Sequence, residues 1–160
     1  MLFLALIINN KEINMESIKA NIRKINGLLD QFDWFSPLAA RLAIGWVFLW
    51  AGYGKLGNLE QVIGFFESLG IPMASVQAPF IATLELVGGL ALILGFGTRV
   101  FSFLLASTMA VALMTAHADE ISVFSDAFKI YEFVYILVFM FLITNGAGKI
   151  SVDHYLKKKC

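Results

Sequence analysis

Cysteine is almost absent from this chain: Cys160, the last residue, is the only one. A single thiol excludes an intrachain disulfide, a CxxC redox pair and a cysteine-ligated iron–sulfur cluster. It also misses the position four residues from the end that prenylation requires. Charge is scarce as well. Only 15% of the 160 residues are charged, and they sum to zero, against about 25% charged in soluble domains. No basic stripe interleaved with aromatics is present, so nucleic acid is set aside as a partner. Histidine occurs twice, as His117 and His154. The glycines at 52–57 lack the strand–turn–helix setting of a nicotinamide site.

What remains is apolar. Hydrophobic residues make up 59% of the chain, and the mean hydropathy is +0.77. A chain this short cannot bury so much apolar surface in one water-soluble core, so lipid must cover the remainder. A spanning helix needs about 20 mostly apolar residues, and four stretches qualify: 34–54, 78–96, 100–118 and 130–148. The expected architecture is all-α, an integral membrane four-helix bundle occupying residues 34–150. Gly95-Phe-Gly-Thr-Arg99 makes a tight turn, so the second and third spans form an antiparallel hairpin.

Residues 1–33 read as a membrane-surface segment. Met1–Ile8 is too short for a span and is followed by no small-x-small cleavage site, and Met15 is an alternative start. Ile18, Ile22, Ile25, Leu29 and Phe32 recur at helical spacing beside Lys19, Arg23 and Lys24, the pattern of an amphipathic interfacial helix. Between the first two spans, Leu59, Val62, Ile63, Phe66 and Leu69 stripe a short helix that caps the bundle from outside. Residues 151–160 form a basic tail.

Basic residues near span ends set the orientation. With the N-terminus inside, Lys19, Arg23, Lys24, Arg41, Arg99, Lys149, Lys157, Lys158 and Lys159 are cytoplasmic, and only Lys55 and Lys129 lie outside. Both termini are therefore expected in the cytoplasm of a prokaryotic inner-membrane protein.

A charge within a span costs roughly 3 kcal/mol or more, so it usually faces a partner or a cavity. Arg41 lies near the inner end of the first span, where it can snorkel to lipid phosphates; the alternative is a structural or ligand-binding role. Glu85 is too short to snorkel. Helix side chains lean toward their own N-terminus, which aims Lys55, Glu85 and His117 at one region just beneath the outer surface. Small residues share their faces: Gly45 and Gly52 with Lys55, Gly88 and Gly89 with Glu85. A Lys55–Glu85 ion pair is predicted, with His117 near it and Glu132, Tyr131 and Tyr53 at the rim. The pair is either a polar binding pocket or a lock holding two helices in register. His117, Asp119 and Glu120 match no tight metal-ligand spacing, and no metal site is expected.

Several of these segments resemble the DoxX family of small four-helix membrane proteins: Arg41-Leu-Ala-Ile-Gly45 followed by Ala51-Gly-Tyr-Gly-Lys55-Leu, Phe65–Pro72, and Leu84-Glu85-Leu-Val-Gly88-Gly89. Leu94-Gly95-Phe-Gly-Thr98-Arg99 and Asn145-Gly-Ala-Gly148-Lys-Ile-Ser151-Val-Asp153 resemble its turn and closing segment, with Ala147 and Lys149 departing from the usual proline and arginine. The resemblance implies a membrane subunit of a redox or quinone-interacting complex. In that reading Lys55, Glu85, His117, Tyr53, Tyr131 and Glu132 form the pocket for a quinone. The chain has no redox centre of its own, since His117 and His154 fall on opposite sides of the membrane, so electrons would come from a redox partner protein. The alternatives are a non-enzymatic scaffold and, with homo-oligomerisation, a small-solute carrier.

Overall fold

The computed structural model describes residues 15, 18–24, 26–27, 32–116 and 129–159. The expectations for Met1–Ile8, Ile25, Leu29, His117, Asp119, Glu120 and Cys160 lie outside them. The chain divides into two units, residues 1–35 and 36–160. In the first, residues 15, 18–24 and 26–27 are helical, and Met15, Ile18 and Ile22 are exposed beside Lys19, Arg23 and Lys24.

The second unit carries the bundle, and no strand occurs among the described residues. Its helices are α1 (Phe35–Gly57), α2 (Leu59–Ser68), α3 (Ala74–Leu94), α4 (Thr98–Ala116), α5 (Tyr131–Asn145) and α6 (Val152–Lys159). Helices α1, α3 and α4 have 23, 21 and 19 residues and are long and apolar enough to cross a membrane. Helix α5 is apolar but has 15 residues, a rise of roughly 22 Å against a hydrocarbon core of about 30 Å. The span expected at 130–148 therefore ends early. Gly146 has φ 76° and ψ −162° and Gly148 has φ 76°, conformations that interrupt a helix.

Helix α3 begins at Ala74, four residues before the expected start. Pro79 hides that start in the sequence: it sits early enough in the helix that the hydrogen bond it removes is one near the frayed first turns. Helix α2 ends at Gly70 (φ 70°), with Ile71 N bonded to Phe66 O and Gly70 N to Glu67 O, a left-handed C-terminal cap. Its stripe of Leu59, Val62, Ile63, Phe66 and Leu69 is the half-buried side, while Glu60, Gln61, Glu67 and Ser68 are exposed.

The core is built from Ile44 and Phe48 of α1, Leu92 of α3, Leu105 and Met109 of α4, and Phe139 and Leu142 of α5. Phe48 packs edge-on against Phe139 and Tyr135, at 5.1 and 5.5 Å between centroids. Helices α1 and α3 approach at backbone contact. A Cβ added to Gly52 would run into the backbone of Leu86 and Ala82, and one added to Gly89 would meet Leu49 and Gly45. Small residues make this approach possible where lipid supplies no hydrophobic drive.

One end of the bundle is tied by the tail. Both carboxylate oxygens of Asp153 accept backbone hydrogen bonds, from Gly97 N (2.7 Å) and Thr98 N (3.0 Å), and Asp153 N donates to Gly95 O. A carboxylate from a distant segment thus caps the open N–H groups at the start of α4.

The same end holds Arg41, which corrects the snorkelling expectation. Arg41 is 1% exposed. Its guanidinium donates to Leu92 O (3.4 Å) and Ile150 O (2.5 Å). Gly95, at φ 70°, supplies both the turn and the seat, because a Cβ there would overlap the Arg41 guanidinium and Ser151. Arg99 also reaches a carbonyl: its Nη2 donates to Thr144 O at 3.2 Å, linking the start of α4 to the end of α5.

Candidate functional site

At the opposite end of the bundle, Lys55 stands in the last turn of α1 and Glu85 midway along α3. The two helices run in opposite directions, and the Gly52–Leu86 contact fixes their register. Lysine leans back along α1, and its long stem carries the ammonium to Glu85: Lys55 Nζ lies 2.5 Å from Glu85 Oε1. The acid is 1% exposed and the lysine side chain 34%, so only the base retains an outlet. Because α3 starts at Ala74, Glu85 sits about 16 Å along it.

The second carboxylate oxygen, Glu85 Oε2, is buried and has no hydrogen-bond partner among the described residues. A buried acceptor left unpaired is costly, more so when charged. Glu85 lines a cavity of about 470 Å³. Its wall takes residues from five helices: Lys55 from α1, Gln61, Phe65 and Phe66 from α2, and Gln77, Ile81 and Glu85 from α3. Thr108, Met109, Ala112 and Thr115 come from α4, and Glu132 from the start of α5. Two threonine hydroxyls are committed to their own helix, Thr108 to Leu105 O and Thr115 to Val111 O. The cavity is thus mostly apolar and carries an anionic acceptor and a cationic donor at one wall. Apolar walls with a few polar groups at one side are the general composition of a small-molecule site.

Of the six residues singled out in the sequence, Lys55, Glu85 and Glu132 line this one cavity. Tyr53 and Tyr131 do not line it and are 64% and 75% exposed. His117 lies outside the described residues. Sequence reasoning missed Gln61, Gln77, Phe65 and Phe66. The signal was present in the amphipathic stripe of α2: a short helix with an apolar face against the bundle can roof a cavity as well as cap it.

The comparisons with known proteins agree with this architecture. The "Inner membrane protein YqjF" of Escherichia coli (strain K12) is 29% identical over 76% of this chain and 92% of its own. A Bacillus subtilis (strain 168) protein named "Putative oxidoreductase CatD" is 29% identical over 76% of this chain and 87% of its own. The "Uncharacterized membrane protein Rv3486" of Mycobacterium tuberculosis (strain ATCC 25618 / H37Rv) is 30% identical over 78% of this chain and 83% of its own. No solved structure matches the chain. The DoxX family profile matches residues 36–118, just over half of the sequence and all three long apolar helices among the described residues. This membrane protein belongs to the DoxX family.

Proposed function

We propose that this protein is a membrane subunit of a redox complex that binds a quinone or its reduced form in the cavity beside Glu85. One observation carries the reading: Glu85 Oε1 is taken by Lys55, Oε2 is buried and unpartnered, and Glu85 lines a mostly apolar space of about 470 Å³. A quinol hydroxyl supplies the donor that Oε2 lacks, and the Lys55 ammonium supplies a donor to a quinone carbonyl. The aromatic and aliphatic walls, Phe65, Phe66, Ile81 and Met109, suit a ring. The residues present therefore fit the group. When bound, a quinone supplies two-electron chemistry coupled to protons. Glu85 accepts or returns a proton at Oε2, Lys55 orients the polar edge, and α2 excludes water from that wall. Electrons come from a partner protein. The name carried by the Bacillus subtilis relative supports a redox role.

In this reading α5 makes a fourth crossing, residues 34–150 form the membrane domain, and residues 1–33 lie on the membrane surface. Both termini face the cytoplasm of a bacterial inner membrane, the membrane given in the name of the Escherichia coli relative.

The test is binding of a short-chain quinone and quinol to the purified protein in lipid nanodiscs, compared with Glu85→Gln and Glu85→Ala. The reading requires saturable binding that weakens at least about tenfold in both variants. Unchanged binding in folded Glu85→Gln defeats it.

A further inference from the structure

A second cavity, of about 520 Å³, opens at the other end of the bundle, where the tail meets the start of α4 and the end of α5. Arg99, Lys149, His154 and Lys157 all line it. The acid present, Asp153, has both oxygens engaged by the N–H groups of Gly97 and Thr98, so its charge is already answered by backbone. Arg99 is held at the wall by its bond to Thr144 O. The cavity is therefore a cationic hollow with one pre-positioned guanidinium, and the cavity beside Glu85 contributes nothing to it.

From this we infer a binding site for an anionic phosphate ester, and specifically for the headgroup of an anionic phospholipid. A guanidinium and two ammonium groups around one hollow match a phosphodiester: the guanidinium gives paired donors and the lysines act as point charges. Lipid is favoured over a free ester by what surrounds the hollow. Val100 and Leu156 form part of its lining and are exposed, as is Ile150 between Lys149 and Ser151. Apolar side chains beside a cationic hollow at the end of a transmembrane bundle place it at headgroup depth, with the acyl chains running along α4 and α5. Basic pockets at helix ends hold anionic headgroups in this way.

The experiment is native mass spectrometry of the full chain released from nanodiscs containing equal phosphatidylglycerol and phosphatidylcholine. The inference requires selective retention of phosphatidylglycerol, and a drop of about tenfold in Lys149→Gln/Lys157→Gln. The control is Lys158→Gln/Lys159→Gln, which removes the same charge from tail positions outside the cavity; it should retain phosphatidylglycerol like the parent. Thermal melting of both double variants establishes that they are folded. Equal retention of the two lipids, or an equal loss in both pairs, overturns the site in favour of diffuse attraction to the tail. Glycerol 3-phosphate titrated onto protein in neutral lipid separates the sources. Saturable stabilisation by it, reversed in Lys149→Gln/Lys157→Gln, overturns the lipid assignment and moves the site to a free phosphate ester.

Discussion

Lys55 and Glu85 are separated by thirty residues in sequence and by 2.5 Å in space. Removing either partner leaves the other as an uncompensated charge inside the bundle. Glu85→Ala is expected to lower stability in detergent micelles by about 2 kcal/mol. Lys55→Ala should cost more, because it strands a carboxylate that is 1% exposed, whereas Glu85→Ala strands a lysine that keeps an outlet. The double variant should fall short of the sum by about 1 kcal/mol. Strict additivity in chemical unfolding would show that the two groups do not interact.

Gly52 and Gly54 separate packing from propensity. A Cβ at Gly52 strikes the backbone of Leu86 and Ala82, whereas one at Gly54 meets nothing within 4 Å. Gly52→Ala should therefore destabilise by about 2 kcal/mol or more. Gly54→Ala should be neutral or stabilise by up to about 1 kcal/mol through helix propensity. Melting temperatures in one detergent decide the matter, and equal shifts would disprove the close α1–α3 approach.

Arg41 distinguishes a carbonyl-binding guanidinium from a lipid anchor. It spans Leu92 O and Ile150 O with two different nitrogens, a geometry that one ammonium cannot copy. Arg41→Lys should melt well below the parent and close to Arg41→Met. Full rescue by lysine would return this residue to the bilayer surface.

Asp153 makes a prediction about local order. Asp153→Ala uncaps the start of α4 and should cost about 1–2 kcal/mol, with faster amide exchange at Gly97 and Thr98. Asp153→Asn keeps an acceptor oxygen and should lie between. Unaltered exchange at both amides would exclude the cap.

Much of this was legible from residue types alone. Long apolar runs mark α1, α3 and α4, and the opposed leanings of Lys55 and Glu85 lead to their contact because helix direction fixes where a side chain points. The role of Arg41 was not legible, since an arginine near a span end reads the same whether it meets phosphate or a carbonyl 109 residues away. Asp153 escaped for a similar reason: its partners, Gly97 and Thr98, are backbone groups that carry no side-chain signature. The early end of α5 was written in Gly146 and Gly148, but the long apolar run that precedes them masked it. Tyr53 and Tyr131 were placed by their nearness in sequence to Lys55 and Glu132, and helix rotation turns both outward.

The contacts of α1 also set an order of events during synthesis. Lys55 is made thirty residues before its carboxylate, and at 5–20 residues per second that is a wait of a few seconds. Arg41 waits longer, for a carbonyl 109 residues downstream. Helix α1, made before α3 and α4, is thus among the last of them to be completed, and a nascent chain halted before Ile150 would leave this guanidinium without that carbonyl, for the insertion machinery to shelter.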